Sequence, residues 1–149
     1  MTQEDKQLLL QDLCARLPYG VEIYYSETVP ISTLKTINSE KGTCIVYDHS
    51  QWYRHSKFHI EEIKPYLRLM SSMTEEESAE LSNIISEWFD KELFYLTEES
   101  FLEYALSKIN YSINPLLFDW LNKKMFDYRG LIKRGLAITV TEENNPYRE

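Results

Sequence analysis

The residues of this chain best suited to chemistry fall in two places. The first is a histidine-bearing stretch, where His49, His55 and His59 lie within reach of Cys44 and Glu62 in sequence. Histidines four apart converge on one ion when the backbone between them is helical, so His55 and His59 are the candidate metal ligands. Their spacing matches no standard zinc finger, and a polar loop that exposes its histidines to solvent is the competing reading. The second place is Asp127-Tyr128-Arg129-Gly130, which offers a carboxylate, a phenol and a guanidinium at a turn. Such a turn can present a binding site. It can equally serve the fold, with Asp127 and Arg129 bonding the ends of neighbouring elements, Tyr128 packed beneath and Gly130 reversing the backbone. Ser71 and Ser72 have no GxSxG elbow around them, and the chain has no Walker lysine loop, no GxGxxG and no HExxH. No residue is therefore assigned as catalytic or cofactor-binding, and no cofactor is predicted.

Charge distribution points to binding instead. The net charge is −8, and the segment from Glu75 to Glu99 holds nine acids against one base, enough to account for that total. Glu76, Glu80 and Glu87 are the candidate contact residues on it, joined by Asp127, Tyr128 and Arg129 at the turn. A smaller basic group, Lys123, Lys124, Arg129, Lys133 and Arg134, reads as cations near a helix C-terminus. Direct nucleic-acid binding needs clustered Lys and Arg and is disfavoured, so the expected partner is another protein. Eleven Tyr and three Trp suit such a surface, although Tyr is as often a core-edge residue.

The elements that must hold these residues are legible in part. Thr2 caps a first helix with Glu4 and Asp5 in its opening turn, and Leu9, Leu10, Leu13, Cys14 and Leu17 form its apolar stripe. Pro18-Tyr19-Gly20 ends it. Val21, Ile23 and Tyr25 alternate as in a half-buried strand, a second β-rich run covers Val29 to Ile37, and Asn38 to Gly42 turns into a third strand from Thr43 to Tyr47. Connections this short predict an antiparallel meander. Ile60 to Ile63 reads as one helical turn stopped before Pro65, with an extended stretch beyond. Thr74 and Glu77 form a capping box before Leu81, Ile84, Ile85, Trp88 and Phe89 at helical spacing. A short strand at Leu93 to Leu96 and a helix capped by Thr97 are expected next. Asn114 and Pro115 then start a helix that buries Leu117, Trp120, Leu121 and Met125, and Gly135 stops a following turn before a terminal strand, Leu136 to Ile138.

These elements predict an α+β fold: a small antiparallel sheet of about three to five strands flanked by about four helices around one core. At 149 residues the chain reads as one domain, 1–149, with a frayed polar tail over 141–149. The acidic N-terminus is no signal peptide, no apolar run is long enough to span a membrane, and Cys14 and Cys44 read as buried thiols. A cytoplasmic protein without membrane contact is the expectation.

Three stretches carry a family resemblance: LLLQDLCARLPYGV at Leu8 to Val21, IKPYLRLMSSMTEEE at Ile63 to Glu77, and FDWLNKKMFDYRGLIKRGLAI at Phe118 to Ile138. They resemble a family of short uncharacterised proteins of gut Bacteroides-type bacteria and their prophages and other mobile elements. The resemblance implies no activity, cofactor or catalytic residue. With it, the sequence favours a non-enzymatic accessory module of mobile-element or phage origin that binds a protein. The alternative is a small metal-dependent hydrolase or nuclease-like enzyme using His49, His55 and His59.

Overall fold

The N-terminal helix shows how local signals become tertiary structure. In the computed structural model of the chain, which describes residues 1–28, 31–48, 55–86 and 115–148, α1 spans Gln3–Arg16. Thr2 caps it reciprocally with Asp5: the Asp5 N–H donates to Thr2 Oγ1 and the Thr2 N–H to the Asp5 carboxylate. Its buried stripe is Leu9, Asp12, Leu13 and Arg16, so Cys14 is exposed, against expectation. The stripe rotates away from Cys14 because Asp12 and Arg16, one turn apart, pair with each other and can enter the interior together.

Six strands follow among the described residues: β1 (Glu22–Tyr24), β2 (Ser32–Asn38), β3 (Thr43–Asp48), β4 (His55–His59), β5 (Lys64–Leu67) and β6 (Ile138–Thr139), ordered β4-β3-β2-β1-β5-β6. The predicted meander is present in β1, β2 and β3, all antiparallel, with Gly42 in the left-handed region at the β2–β3 turn. The sheet is nevertheless mixed and larger than predicted. β4 extends it at one side, and β6 pairs parallel to β5, with Tyr66 opposite Ile138 and Leu67 opposite Thr139. The chain reaches β6 only after crossing the molecule through the C-terminal helix, so it re-enters beside β5 in the same direction.

Helix α2 (Glu75–Ser86) opens with the predicted capping box, Glu77 N–H to Thr74 Oγ1 and Thr74 N–H to Glu77 Oε2. Helix α3 (Pro115–Lys123) starts at Pro115 as expected. Among the described residues there are three α-helices; the expected strand at Leu93 to Leu96, the helix after Thr97 and the Asn114 cap lie outside them. α3 ends two residues before Met125, which takes a left-handed φ of 59°. There the Met125 N–H reaches Asn122 O and the Phe126 N–H reaches Leu121 O, the paired bonds of a Schellman end, with Phe126 packed in one cluster with Leu121. The turn after Gly130 closes the same way, with Gly135 at φ 72° donating to Ile132 O and Leu136 to Leu131 O.

Among the described residues, buried apolar side chains form two clusters. Beneath the sheet, Leu9 and Leu13 of α1 meet Ile23, Leu34, Cys44, Val46, Ile63 and Leu67. Beside it, Leu81 and Ile85 of α2 meet Leu117, Phe118, Leu121 and Phe126. A layer of buried charge between α1 and α3 separates them. The polar tail is tied down as far as Tyr147, whose hydroxyl accepts from the Glu22 N–H at 3.2 Å and donates to Tyr66 O at 2.9 Å. It bridges β1 and β5 where their register leaves off, so the fraying predicted from polarity does not describe these contacts.

Candidate functional site

The charge layer is built from α1 outward. Asp12 and Arg16 are both fully buried, and the Arg16 guanidinium donates to the two Asp12 oxygens from Nε at 2.8 Å and Nη2 at 3.0 Å. Its remaining donors turn to the end of α3: Nη2 to Phe126 O at 2.8 Å, and Nη1 to Asn122 O and Leu121 O at 3.4 and 3.5 Å. A cation thus adds a second donor to carbonyls at the end of α3 that already accept backbone N–H groups, where the helix dipole is negative. Arg129 completes the cluster from the opposite side, donating from Nη1 to Asp12 Oδ1 at 2.9 Å and to Asn122 Oδ1 at 3.4 Å. Tyr128 lies between the two guanidiniums, 4.3 Å from Arg129 and 5.6 Å from Arg16, and its hydroxyl donates to Asn122 Oδ1.

The Asp127-Tyr128-Arg129-Gly130 turn is therefore occupied by its own fold. Asp127 accepts from the N–H groups of Leu131 and Ile132, both at 2.8 Å, and caps the next turn. Gly130 takes φ 76°, the backbone reversal its position calls for. The geometry matches the structural reading of this turn: its acid, phenol and guanidinium hold α1, α3 and the C-terminal segment together. Sequence reasoning missed Asp12, Arg16 and Asn122. A signal existed, since Asp12 and Arg16 lie three and seven positions after Leu9, on the stripe Leu9 and Leu13 define.

His55 and His59 occupy the two ends of β4. Four residues along a strand separate them by about 13 Å, where a helix would have brought them together. Each pairs across β3, His55 with Tyr47 and His59 with Thr43, and the two are not brought to a common ion. Cys44 points the other way, into the core, where burial pushes its thiol up to about 11. Among the described residues no group of three His, Cys, Asp or Glu is placed to hold a metal; His49 lies outside them.

The acidic helix divides its glutamates between two uses. Glu77 takes both Arg68 guanidinium nitrogens, at 2.7 and 2.8 Å, which holds its carboxyl below the usual range. Glu80 accepts from Trp120 Nε1 at 3.0 Å and pairs with Lys124 at 3.2 Å, and these bonds lower its pKa in that order. These contacts brace α2 against β5 and α3. Glu75 and Glu76, one turn away, are exposed and form no ion pair among the described residues. Glu87 lies outside those residues.

The outward face of the sheet carries exposed lysines of its own. Ile23, Leu34, Cys44 and Val46 point into the core, so their neighbours in register, Thr36, Ile45 and Lys57 in one row and Tyr47 with His55 in the next, point outward. A bulge between Leu34 and Thr36 adds Lys35, whose ammonium lies 5.6 Å from the Tyr47 ring. No known protein family, curated protein or solved structure matches the chain.

Proposed function

We propose that the chain is a non-enzymatic protein-binding module of mobile-element or phage origin, with the exposed start of α2 as its contact surface. The observation that carries this reading is the division of labour on α2. Glu77 and Glu80 fix the helix in place through Arg68, Trp120 and Lys124, while Glu75 and Glu76 stand in solvent on that braced support. A rigid anionic patch suits a cationic site on another protein, because complementary charge raises encounter rates and rejects wrong partners. The polar groups best suited to chemistry, Asp12, Arg16, Asp127 and Arg129, are engaged in holding the fold.

The test is charge reversal that spares the brace. Glu75→Lys with Glu76→Lys should abolish partner capture from the native cell and leave melting unchanged. Capture of the same proteins by this variant would refute the reading. Glu80→Lys serves as a control for the brace, since it removes the Trp120 and Lys124 contacts and should loosen α2. The alternative, a metal-dependent hydrolase or nuclease-like enzyme, would require His55 and His59 to share an ion across a separation that a strand makes too long. Stoichiometric zinc in the purified protein, with melting that falls in chelator, would restore it.

A further inference from the structure

The outward face of β2, β3 and β4 is a second charged surface, independent of α2. At its centre Ile45 is 37% exposed, an apolar side chain left in solvent on the middle strand of the three. Lys57 stands directly across from it on β4, and Lys35 and Thr36 stand on β2 at the bulge. All three are exposed. His55 and His59, also exposed, flank Lys57 two residues to either side. Neither Lys35 nor Lys57 has an ion-pair partner among the described residues. Two lysines without an ion pair among the described residues thus stand around an exposed isoleucine in a chain of net charge −8, with the half-buried Glu22 on the same face at the far end of the Thr33–Tyr47–His55 row.

We infer that this sheet face docks an acidic, partly apolar segment of a partner protein. An aliphatic side chain of that segment rests on Ile45, and carboxylates to either side of it meet Lys35 and Lys57. Strands about 4.8 Å apart place the two lysine backbones roughly 10 Å from each other across β3, and carboxylates two residues apart in an extended segment, at about 7 Å, fall within reach of both side chains. The chemistry favours a peptide over a nucleic acid on two counts. The Tyr47 ring, which a base would need for stacking, already has the Lys35 ammonium 5.6 Å and the His55 ring 5.5 Å from it. Two lysines on an acidic molecule also provide too little positive charge to track a phosphate backbone.

The experiment measures anisotropy of a fluorescein-labelled peptide of alternating Glu and Leu, titrated with the full chain at low and at physiological salt. Lys35→Glu with Lys57→Glu is compared with Lys41→Glu plus Lys133→Glu, which changes net charge equally at exposed positions elsewhere. The inference predicts saturable binding that weakens with salt, falls at least about tenfold in the Lys35/Lys57 variant and changes less than about twofold in the control. Lys35→Gln with Lys57→Gln, which introduces no new charge, should show the same loss if the reversed variant is unstable. No saturable binding, or an equal loss in both variants, overturns it. Tighter binding of a labelled single-stranded DNA that is lost on the same Lys35/Lys57 change also overturns it, and assigns the face to nucleic acid.

Discussion

Replacing Asp12 by Asn tests the buried charge cluster at its centre. The side chain keeps its shape but loses the negative charge that faces both Arg16 and Arg129, at 2.8 to 3.0 Å from three guanidinium nitrogens. Asp12 and Arg16 are fully buried, and the Arg129 side chain is 6% exposed, so water cannot take the place of the missing carboxylate. The Asn amide can also accept through only one oxygen, which leaves at least one guanidinium N–H facing an N–H₂ group. Removing one partner from a buried ion pair costs about 3–5 kcal/mol, against a total stability of roughly 5–15 kcal/mol for a domain. At about 2–4 °C per kcal/mol for a chain of this size, Tm should fall by roughly 6–20 °C. Urea unfolding and calorimetry on wild type and Asp12→Asn measure this directly. The exposed Lys6–Glu61 pair provides the contrast, and Lys6→Ala should leave melting unchanged. A loss below about 1 kcal/mol for Asp12→Asn, the range of a surface pair, would refute the reasoning. Swapping Asp12 and Arg16 together for Leu and Met should not restore stability, because the nearly buried Arg129 would lose the Asp12 carboxylate it donates to.

Four further outcomes follow from the same geometry. Tyr147→Phe removes the hydroxyl that joins the Glu22 N–H to Tyr66 O and should cost about 1–3 kcal/mol by urea unfolding, while a neutral result would mean the tail is dispensable. Burial raises the Tyr147 pKa above its ordinary 10.0, so the stability it contributes is complete below pH 10.0 and is lost as pH rises beyond; Tyr147→Phe should flatten that alkaline decline. The Arg68 bonds lower Glu77 below 4.5, and Trp120 and Lys124 do the same to Glu80, so their contribution is present above pH 4.5 and is lost as pH falls through their lowered values. Near-ultraviolet circular dichroism of Trp120 should report this acid loosening of α2, and Glu80→Gln should diminish it. Met125→Gly relieves a left-handed residue, a gain of about 1–2 kcal/mol, but deletes a buried side chain worth about 2–5 kcal/mol, so melting should fall; a rise would show that conformation outweighs packing there.

How far the fold was legible depends on how local each signal is. Thr2, Thr74 with Glu77, Pro115, Gly130 and Gly135 act within one turn of chain, and each behaves as its residue type demands. β6 has two residues and no periodicity, and its parallel partner lies about seventy residues earlier, so nothing near Ile138 announces the pairing. The histidine stretch is ambiguous for a related reason: His55 and His59 converge only on a helix, and β4 is fixed by its five-residue register with β3. Asp12 and Arg16 show the limit most clearly. At a spacing of four they look like any exposed helical pair, and only the guanidinium of Arg129 and the carbonyls ending α3, over a hundred residues away, make their burial tolerable. The turn at Asp127 admits both a structural and a binding reading from its own sequence, because its partner on α1 lies over a hundred residues away.

Among the described residues the buried polar groups Asp12, Arg16, Asp127 and Arg129 hold the fold, and on the proposed reading the braced acidic start of α2 is a contact surface for a partner. Photo-crosslinking in the native cell tests it most directly, with a photoreactive residue placed in turn at Glu76 and at Lys133 beside the C-terminal turn. A discrete protein adduct is expected from position 76 and none from position 133. An adduct from position 133 alone would contradict it.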